Sequence, residues 1–523
     1  METSENAGQV VRASIMAQIQ REAALGKKKL PSRYSGEAAN RNAAPSSYNL
    51  FIPIRGDRHL VYNTLTGAYA IWDADDMEIY ESLKYSDRRV SDPELRDFIG
   101  AGFMVSDATD EVAELEQRYM GARQDPGTMV MTIAPIMACN FACDYCFQGA
   151  NKPHKKMTPE VQDALLDYLD RKLPELNNLS ISWYGGEPLM GKDTIEALTH
   201  RINELCIKHK VNYSAFIVTN GYFLNGDMAE KLVKLGVTSC QVTLDGNAES
   251  HDARRYLLSG RPTYDRIAKN LVEVVDRTNM QVSLRVNIDH HNKDNIKQLL
   301  QDLSERGLAR RNTLGVYFAP VESITEACHG TNETAMGKTE YAIMEADLYR
   351  YAFELGLTGL PRPPMMHGNC AAVRTNGLVL LPTGELHKCW DTVNDTRMKI
   401  GTIFEPEKAF QSQIHEEWMN WSPFNNDTCR SCKILPNCTG ACAFKFIHKD
   451  KTLGEGGSLP CPSWKFNINE RLLIRAEKKG IISAEDIIEE SATSADQVGQ
   501  NHSTSGLFRV AATKEPELSL AIT

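Results

Sequence analysis

No apolar run in the 523-residue chain approaches the roughly 20 residues that cross a bilayer, so no membrane partner is expected. Basic residues are in deficit. With 58 Lys and Arg against 68 Asp and Glu, the net charge is −10, which excludes the basic face of a nucleic-acid binder. Met1 to Lys29 lacks the apolar segment of a signal peptide, because Lys27, Lys28 and Lys29 come late and nothing apolar follows. A cytoplasmic protein is therefore expected. A reducing compartment disfavours disulfides, yet there are 13 cysteines. Ten fall into two groups, one near residue 140 and one from 370 to 461. Cysteines grouped in this way read as metal or cluster ligands. Cys206, Cys240 and Cys328 stand apart and read as inert thiols.

Hydrophobic residues at 42% and charged residues at 24% permit a large core, and the length suggests about three domains. Residues 1–45 are polar with little periodicity beyond Val10 to Leu25, and read as a mobile arm. Residues 46–125 form an α+β unit: a strand over Leu50 to Ile54, a hairpin over His59 to Asp73 turning near Thr66-Gly67, then helices. Asp125-Pro126-Gly127 marks a boundary. Residues 126–360 alternate strands (Met129, Leu179, Ser214, Cys240, Gln281 and Leu314 onward) with amphipathic helices. This pattern predicts an α/β fold, a partial six-unit barrel with parallel strands and crossover helices. In such folds chemistry sits at the carboxyl ends of the strands.

The first of these strands runs directly into Cys139-Asn-Phe-Ala-Cys143-Asp-Tyr-Cys146. Three thiolates can hold three irons of a [4Fe–4S] cube and leave the fourth open, whereas four cysteines normally close one. Structural zinc prefers four protein ligands, and no nearby His or Cys completes a set. With Tyr145 before the last cysteine, this CxxxCxxC motif resembles the radical S-adenosylmethionine (SAM) superfamily. Gly185-Gly186-Glu187-Pro188, Thr219-Asn220-Gly221 and Gln241-Val-Thr243-Leu-Asp245-Gly246 end the next three strands in the order this resemblance requires. The resemblance implies that Cys139, Cys143 and Cys146 are catalytic and bind a SAM-carrying cluster. It also implies that the Gly185–Pro188 segment meets the SAM amino group, and that Thr243 and Arg255 hold the SAM carboxylate, with Tyr145 and Asn220 beside them. Arg285 and Asn287 share a strand face by period-2 alternation and are expected to line the cavity. Arg254 reads equally as a solvated surface charge or as a functional group.

Farther on, Cys370 is followed by Gly384-xxxx-Cys389, then by Cys429-xx-Cys432-xxxxx-Cys438-xxx-Cys442 and Cys461. A zinc ribbon over Cys429, Cys432, Cys438 and Cys442 would leave the other three unexplained. The arrangement resembles the SPASM domain (residues 361–475), with residues 476–523 as a helix end and mobile tail. The resemblance implies two auxiliary [4Fe–4S] clusters and so three per chain. Cys370, Cys389 and Cys442 would bind the cluster nearer the active site, and Cys429, Cys432, Cys438 and Cys461 the distal one. The near set is one ligand short. Pro364 stands where some relatives carry a further cysteine, so His367 or Cys328 completes it, or an iron stays open for a substrate thiolate. Trp390 reads as packing.

By resemblance, the hairpin around Tyr62 to Gly67 makes residues 46–125 a winged-helix-like element that takes a precursor's leader peptide as an added strand. A purely structural docking unit is the alternative. The implied activity is hydrogen abstraction from a ribosomally made precursor by a 5′-deoxyadenosyl radical, ending in a thioether or carbon–carbon crosslink. A flavodoxin- or ferredoxin-type partner would supply electrons. The alternative is maturation of a folded protein partner, as in sulfatase activation, although Gly356 to Asn369 contains no Asp or Glu. A non-catalytic electron carrier would need neither Gly-Gly-Glu-Pro nor Thr-Asn-Gly. Leu507 to Val510 lies in the tail and either stays mobile or pairs with a strand edge.

Overall fold

Strand β1 (Ala43–Pro45) pairs with β5 (Met104–Ser106), although the sequence assigns these first residues to a mobile arm. Burial of Ala43 explains the difference, since it joins the aromatic core beneath the N-terminal sheet. The computed structural model describes residues 40–84, 87–149, 154–323, 333–360, 363, 370–448 and 459–488. The segments Val10 to Leu25 and Leu507 to Val510, together with Cys328, Pro364 and His367, lie outside these residues.

Strands β2 (Asn49–Ile54), β3 (Arg58–Asn63) and β4 (Tyr69–Trp72) form an antiparallel sheet in that order. Asn63 shapes the turn to β4: its Oδ1 accepts the N–H groups of Leu65 at 3.0 Å and Thr66 at 2.9 Å. Alternation gives the sheet two apolar faces. Phe51, Val61 and Trp72 pack with helices α1 (Ala74–Lys84) and α2 (Arg96–Ala101). Leu50, Ile52, Leu60 and Tyr62 pack on residues near the C-terminus instead. Helix α3 (Glu111–Arg123), capped by Asp110, leads to the central sheet.

The central strands are β6 (Thr128–Ile133), β7 (Asn178–Trp183), β8 (Asn212–Val218), β9 (Val237–Thr243), β10 (Gln281–Ile288) and β11 (Leu314–Pro320). All pair in parallel in sequence order. Between or after them come α4 (Pro159–Lys172), α5 (Lys192–His209), α6 (Gly226–Lys234), α7 (Ala248–Arg254), α8 (Tyr264–Arg277), α9 (Ile296–Leu303) and α10 (Lys338–Glu354). One face of each strand is apolar: Met129, Met131, Ile133, Leu179, Ile181 and Trp183 lie in the core with helical residues such as Leu165 and Leu198. The intervening Thr132, Ser182, Gln241 and Arg285 are only half-buried, so the other face is a polar lumen. The sequence predicts one helix from Lys293 to Glu305, but a 3₁₀ turn precedes α9 and Gly307, at φ +84°, ends the wider turn after it.

The sheet stays open. β6 is extended by β12 (Gly377–Leu380), which runs parallel to it, and then by β13 (Glu385–His387) and β14 (Gly401–Thr402). The C-terminal region therefore grows from the barrel's own sheet, and helix α11 (Trp464–Lys478) packs under β2 and β3. No described helix is long and apolar enough to cross a membrane.

Candidate functional site

The chain leaves β6 through the buried residues Ala134 to Ala138 and reaches Cys139 at the carboxyl end of the sheet. Neighbouring segments strap this loop down. Gly186 N–H donates to Ile136 O at 3.2 Å and Glu187 N–H to Ala138 O at 2.9 Å, while Leu258 N–H reaches Asn140 O at 2.9 Å. Both glycines are required by closeness. A Cβ on Gly185, at φ +139°, would lie 2.3 Å from Ile136 O, and one on Gly186 would lie 2.3 Å from the carbonyls of both Met137 and Ala138.

Glu187 is fully buried, and its side chain ties the ends of β7 and β8 together. It accepts Thr219 Oγ1–H at 2.7 Å, Asn220 N–H at 2.8 Å and Leu189 N–H at 3.0 Å. Burial pushes its carboxyl up to about 7, against the pull of those hydrogen bonds and of Arg255. Pro188 is buried and opens the turn behind it. Asn220 brings Nδ2 within 4.0 Å of Cys139 Sγ and 2.8 Å of Asn140 Oδ1.

Tyr145 points its hydroxyl at Asp245 and accepts Arg255 Nη1–H at 2.7 Å and Asn287 Nδ2–H at 3.2 Å. Arg285 donates to Asn287 Oδ1 at 2.6 Å, so the two residues placed on one face by alternation do meet. Thr243, buried at the end of β9, is in register with Arg285. Arg254 is no solvated charge: it is 5% exposed, and its Nη1 and Nη2 bond Asp289 at 3.0 and 2.9 Å. His251 is buried, and its Nδ1 accepts Asp245 N–H at 3.2 Å. Burial, with Arg255 and Arg254 nearby, holds its ring neutral.

The seven C-terminal cysteines gather in two sets. Burial pushes the Cys389 thiol well up, and the nearby Asp391 carboxylate and the sulfurs of Cys370 and Cys442 add to the shift. Burial likewise raises Cys438, whose sulfur neighbours are Cys432, Cys429 and Cys461. Cys442 packs at the same apolar cluster as Cys389, whereas Cys429, Cys432 and Cys438 pack at others, which argues against a zinc ribbon. No described group of three or more His, Cys, Asp or Glu side chains converges as ligands of one metal ion would. Thiolates on the corners of an iron–sulfur cube stand farther apart than that. Trp390 stacks on Tyr184 with ring centroids 4.2 Å apart and sets its edge to Phe147, bridging the two cysteine regions.

Residues 133–308 match the model of the Radical SAM superfamily. The chain is a radical SAM enzyme. Its relatives include the radical SAM cyclopropyl synthase TigE of Paramaledivibacter caminithermalis, 24% identical over 77% of this chain and 86% of the relative. The mycofactocin maturase MftC of Mycolicibacterium smegmatis is 26% identical over 59% of this chain and 77% of its own length. The fold is shared with native anSMEcpe, solved with bound AdoMet and Kp18Cys peptide, at a TM-score of 0.51 and 17% identity, covering 69% of this chain and 100% of that one.

Radical SAM enzymes use SAM and a [4Fe–4S] cluster, and the residues present fit both. Around the triad, Asn140 Nδ2 and Arg255 Nε are buried donors with no hydrogen-bond partner among the described residues, which the carboxylate of a bound ligand would satisfy. Near Cys370, Lys388 is 1% exposed and gives its protons to Arg374 O and Gly377 O at 2.7 and 2.6 Å. Arg123, 2% exposed, donates to the carbonyls of Trp421, Trp418 and Met419. Burial lowers the pKa of both side chains, that of Lys388 to about 7. Two buried basic side chains with only carbonyl partners would be held charged by an anionic group placed beside them.

Sequence reasoning missed Asp245, Asp289, Lys388 and Asp391. Only Asp245 carried a signal, its place in the Leu-Asp-Gly end of a strand. The others take their environment from distant segments.

Proposed function

We propose that this radical SAM enzyme abstracts hydrogen from a ribosomally made precursor peptide and closes a thioether or carbon–carbon crosslink. The observation that carries this reading is the gathering of ten cysteines into a triad and two further sets joined through one sheet. An enzyme that only cleaves SAM needs the triad alone. The maturase and cyclopropyl synthase relatives, and the peptide held by anSMEcpe, support a peptide substrate.

In this reading Cys139, Cys143 and Cys146 hold the SAM-binding cluster, and Cys370, Cys389, Cys442 and Cys429, Cys432, Cys438, Cys461 hold the near and distal auxiliary clusters. SAM bound at the first cluster supplies a 5′-deoxyadenosyl radical when one electron arrives from a flavodoxin- or ferredoxin-type donor. The protein's part is placement. Gly185 and Gly186 let backbone press against the cysteine loop, and Glu187 locks Thr219 and Asn220 beside it. Arg255, steadied by Tyr145, offers Nε to the SAM carboxylate, with Thr243 beside it. Tyr184 and Trp390 wall the lumen between the triad and Cys389 and exclude water from a reactive intermediate. Residues 46–125 receive the leader at β4, which pairs only with β3 among the described strands.

The test is anaerobic reconstitution followed by iron analysis and mass spectrometry of a co-expressed precursor encoded beside this gene. About twelve irons per chain and a precursor lighter by a pair of hydrogens are expected. Four irons would remove the auxiliary clusters from this reading, and an unmodified precursor would remove the peptide substrate.

A further inference from the structure

The near set of cysteines is one protein ligand short of closing a cube. The structure points to an oxygen ligand. Asp391 follows Cys389 by two residues, and the chain between them turns back on itself. Asp391 N–H donates to Cys389 Sγ at 3.4 Å, and Asp391 Oδ2 lies 3.7 Å from the same sulfur. Thr392 fixes the turn by donating to Cys389 O at 2.7 Å, and its hydroxyl also meets His387 Nδ1 at 3.0 Å. Trp390, between the two ligating positions, is pinned by Tyr184 and Phe147.

The carboxylate so placed has no cation of its own. Lys445, which faces it, is paired with Glu322 at 2.5 Å, and Arg285 spends Nε on Asn287. Among the described residues, the Asp391 carboxylate makes its one side-chain hydrogen bond with the Cys389 thiol. Holding a half-buried carboxylate against a cysteine sulfur, with no positive partner in contact, is costly unless something positive sits beside them. Each of the three thiols, Cys370, Cys389 and Cys442, is near enough to feel its charge. Three thiols, anionic once they bind iron, and one carboxylate are a donor set that an iron–sulfur cube would neutralise.

We propose that Asp391 is the fourth protein ligand of the near auxiliary cluster, a proposal that rests on the auxiliary-cluster reading above. The corner it holds is the displaceable one, because a carboxylate oxygen is a harder and weaker ligand for such iron than a thiolate. Trp390, the neighbour of Asp391, stacks on Tyr184 and meets Phe147, the neighbour of Cys146, so this turn lies on the side of the triad. A substrate thiolate arriving there would replace the carboxylate by ligand substitution, with no change of oxidation state.

The test uses the full-length chain carrying Cys139→Ala, Cys143→Ala and Cys146→Ala, so that only auxiliary clusters contribute signals. Iron content, EPR of the reduced protein, the midpoint potential and the yield of three-iron cluster on mild oxidation are read for this protein and for added Asp391→Ala, Asp391→Asn and Asp391→Cys. With Asp391 as ligand, Asp391→Ala and Asp391→Asn raise the three-iron yield severalfold. Asp391→Cys suppresses that yield, keeps full iron and moves the potential and EPR spectrum of one cluster. Unchanged spectra, potential and three-iron yield in all three variants overturn the proposal, as does transfer of those effects to Cys328→Ala or His367→Ala. The parent reading fails separately: if Cys370→Ala loses none of the roughly four irons of one cluster, there is no near cluster to ligate.

Discussion

Glu187 shows what one buried side chain does for this site. Its carboxyl titrates near 7 in the folded chain, raised from 4.5 by burial. The folded state therefore holds the proton more tightly than the unfolded state. The associated stability is fully present below the unfolded value and is lost as pH rises through about 7. Unfolding of the iron-free protein should become easier from pH 5 to pH 8, by at most about 3 kcal/mol. Glu187→Gln keeps the shape and removes the titration, so denaturation curves at several pH values should lose that slope. A slope unchanged in the variant would assign it to other groups. The sequence placed Glu187 at the site, but through the SAM-facing backbone of its segment. Its side chain instead cross-links the ends of β7 and β8. Arg254 gives the same lesson: its partner Asp289 is 35 residues away, and no local pattern distinguishes a paired guanidinium from a solvated one.

At the scale of elements, strands and helices of the barrel are legible because each carries its own periodicity, and the strand expected from Gln281 onward starts at that residue. Strand β12 is not, because Gly377–Leu380 is four buried residues with no period to show. Its partner β6 lies some 250 positions earlier, which sequence spacing cannot reveal. The segment after β7 was legible as a motif, and the structure adds why it must be glycine. In Gly186→Ala the new Cβ would meet two backbone oxygens at 2.3 Å, neither of which can rotate away. The loop before Cys139 must then move. On the three-cluster reading proposed above, reconstituted Gly186→Ala should lose about a third of its iron, together with deoxyadenosine formation. Gly100→Ala, on a helix with nothing within 4 Å of the new Cβ, is the control and should retain both. Full iron in Gly186→Ala would mean that the close approach does not position the triad.

Across the whole molecule, the N-terminal unit and the distal cysteines are one packed body. Leu50, Ile52, Leu60 and Tyr62 cover Ile434 and the Ile468, Leu472 and Leu473 face of α11, with Cys432 and Cys438 at the margin of the same cluster. Tyr48 and Leu65 pack with Phe424 and Cys429. Lys433 Nζ donates to Asn49 O at 3.2 Å, and Thr64 Oγ1 donates to Lys433 O. A separable recognition domain would be removable with loss of precursor binding alone. Here removal of residues 1–125 uncovers an apolar face on both sides of the distal cysteine loop, and it also removes Arg123 from the carbonyls of Trp418, Met419 and Trp421. Iron in the truncated protein should fall from about twelve to about eight or fewer. Slow SAM cleavage, which needs only the triad, should persist where the barrel stays folded. Leader binding is better read in the intact chain, by hydrogen exchange at β4. Amides of Tyr69–Trp72 should gain protection when a leader peptide is added, because strand addition occupies backbone groups without disturbing the covered faces. Protection elsewhere with none at β4 would leave this sheet a purely structural brace for the distal cysteines, and would move precursor recognition to another surface.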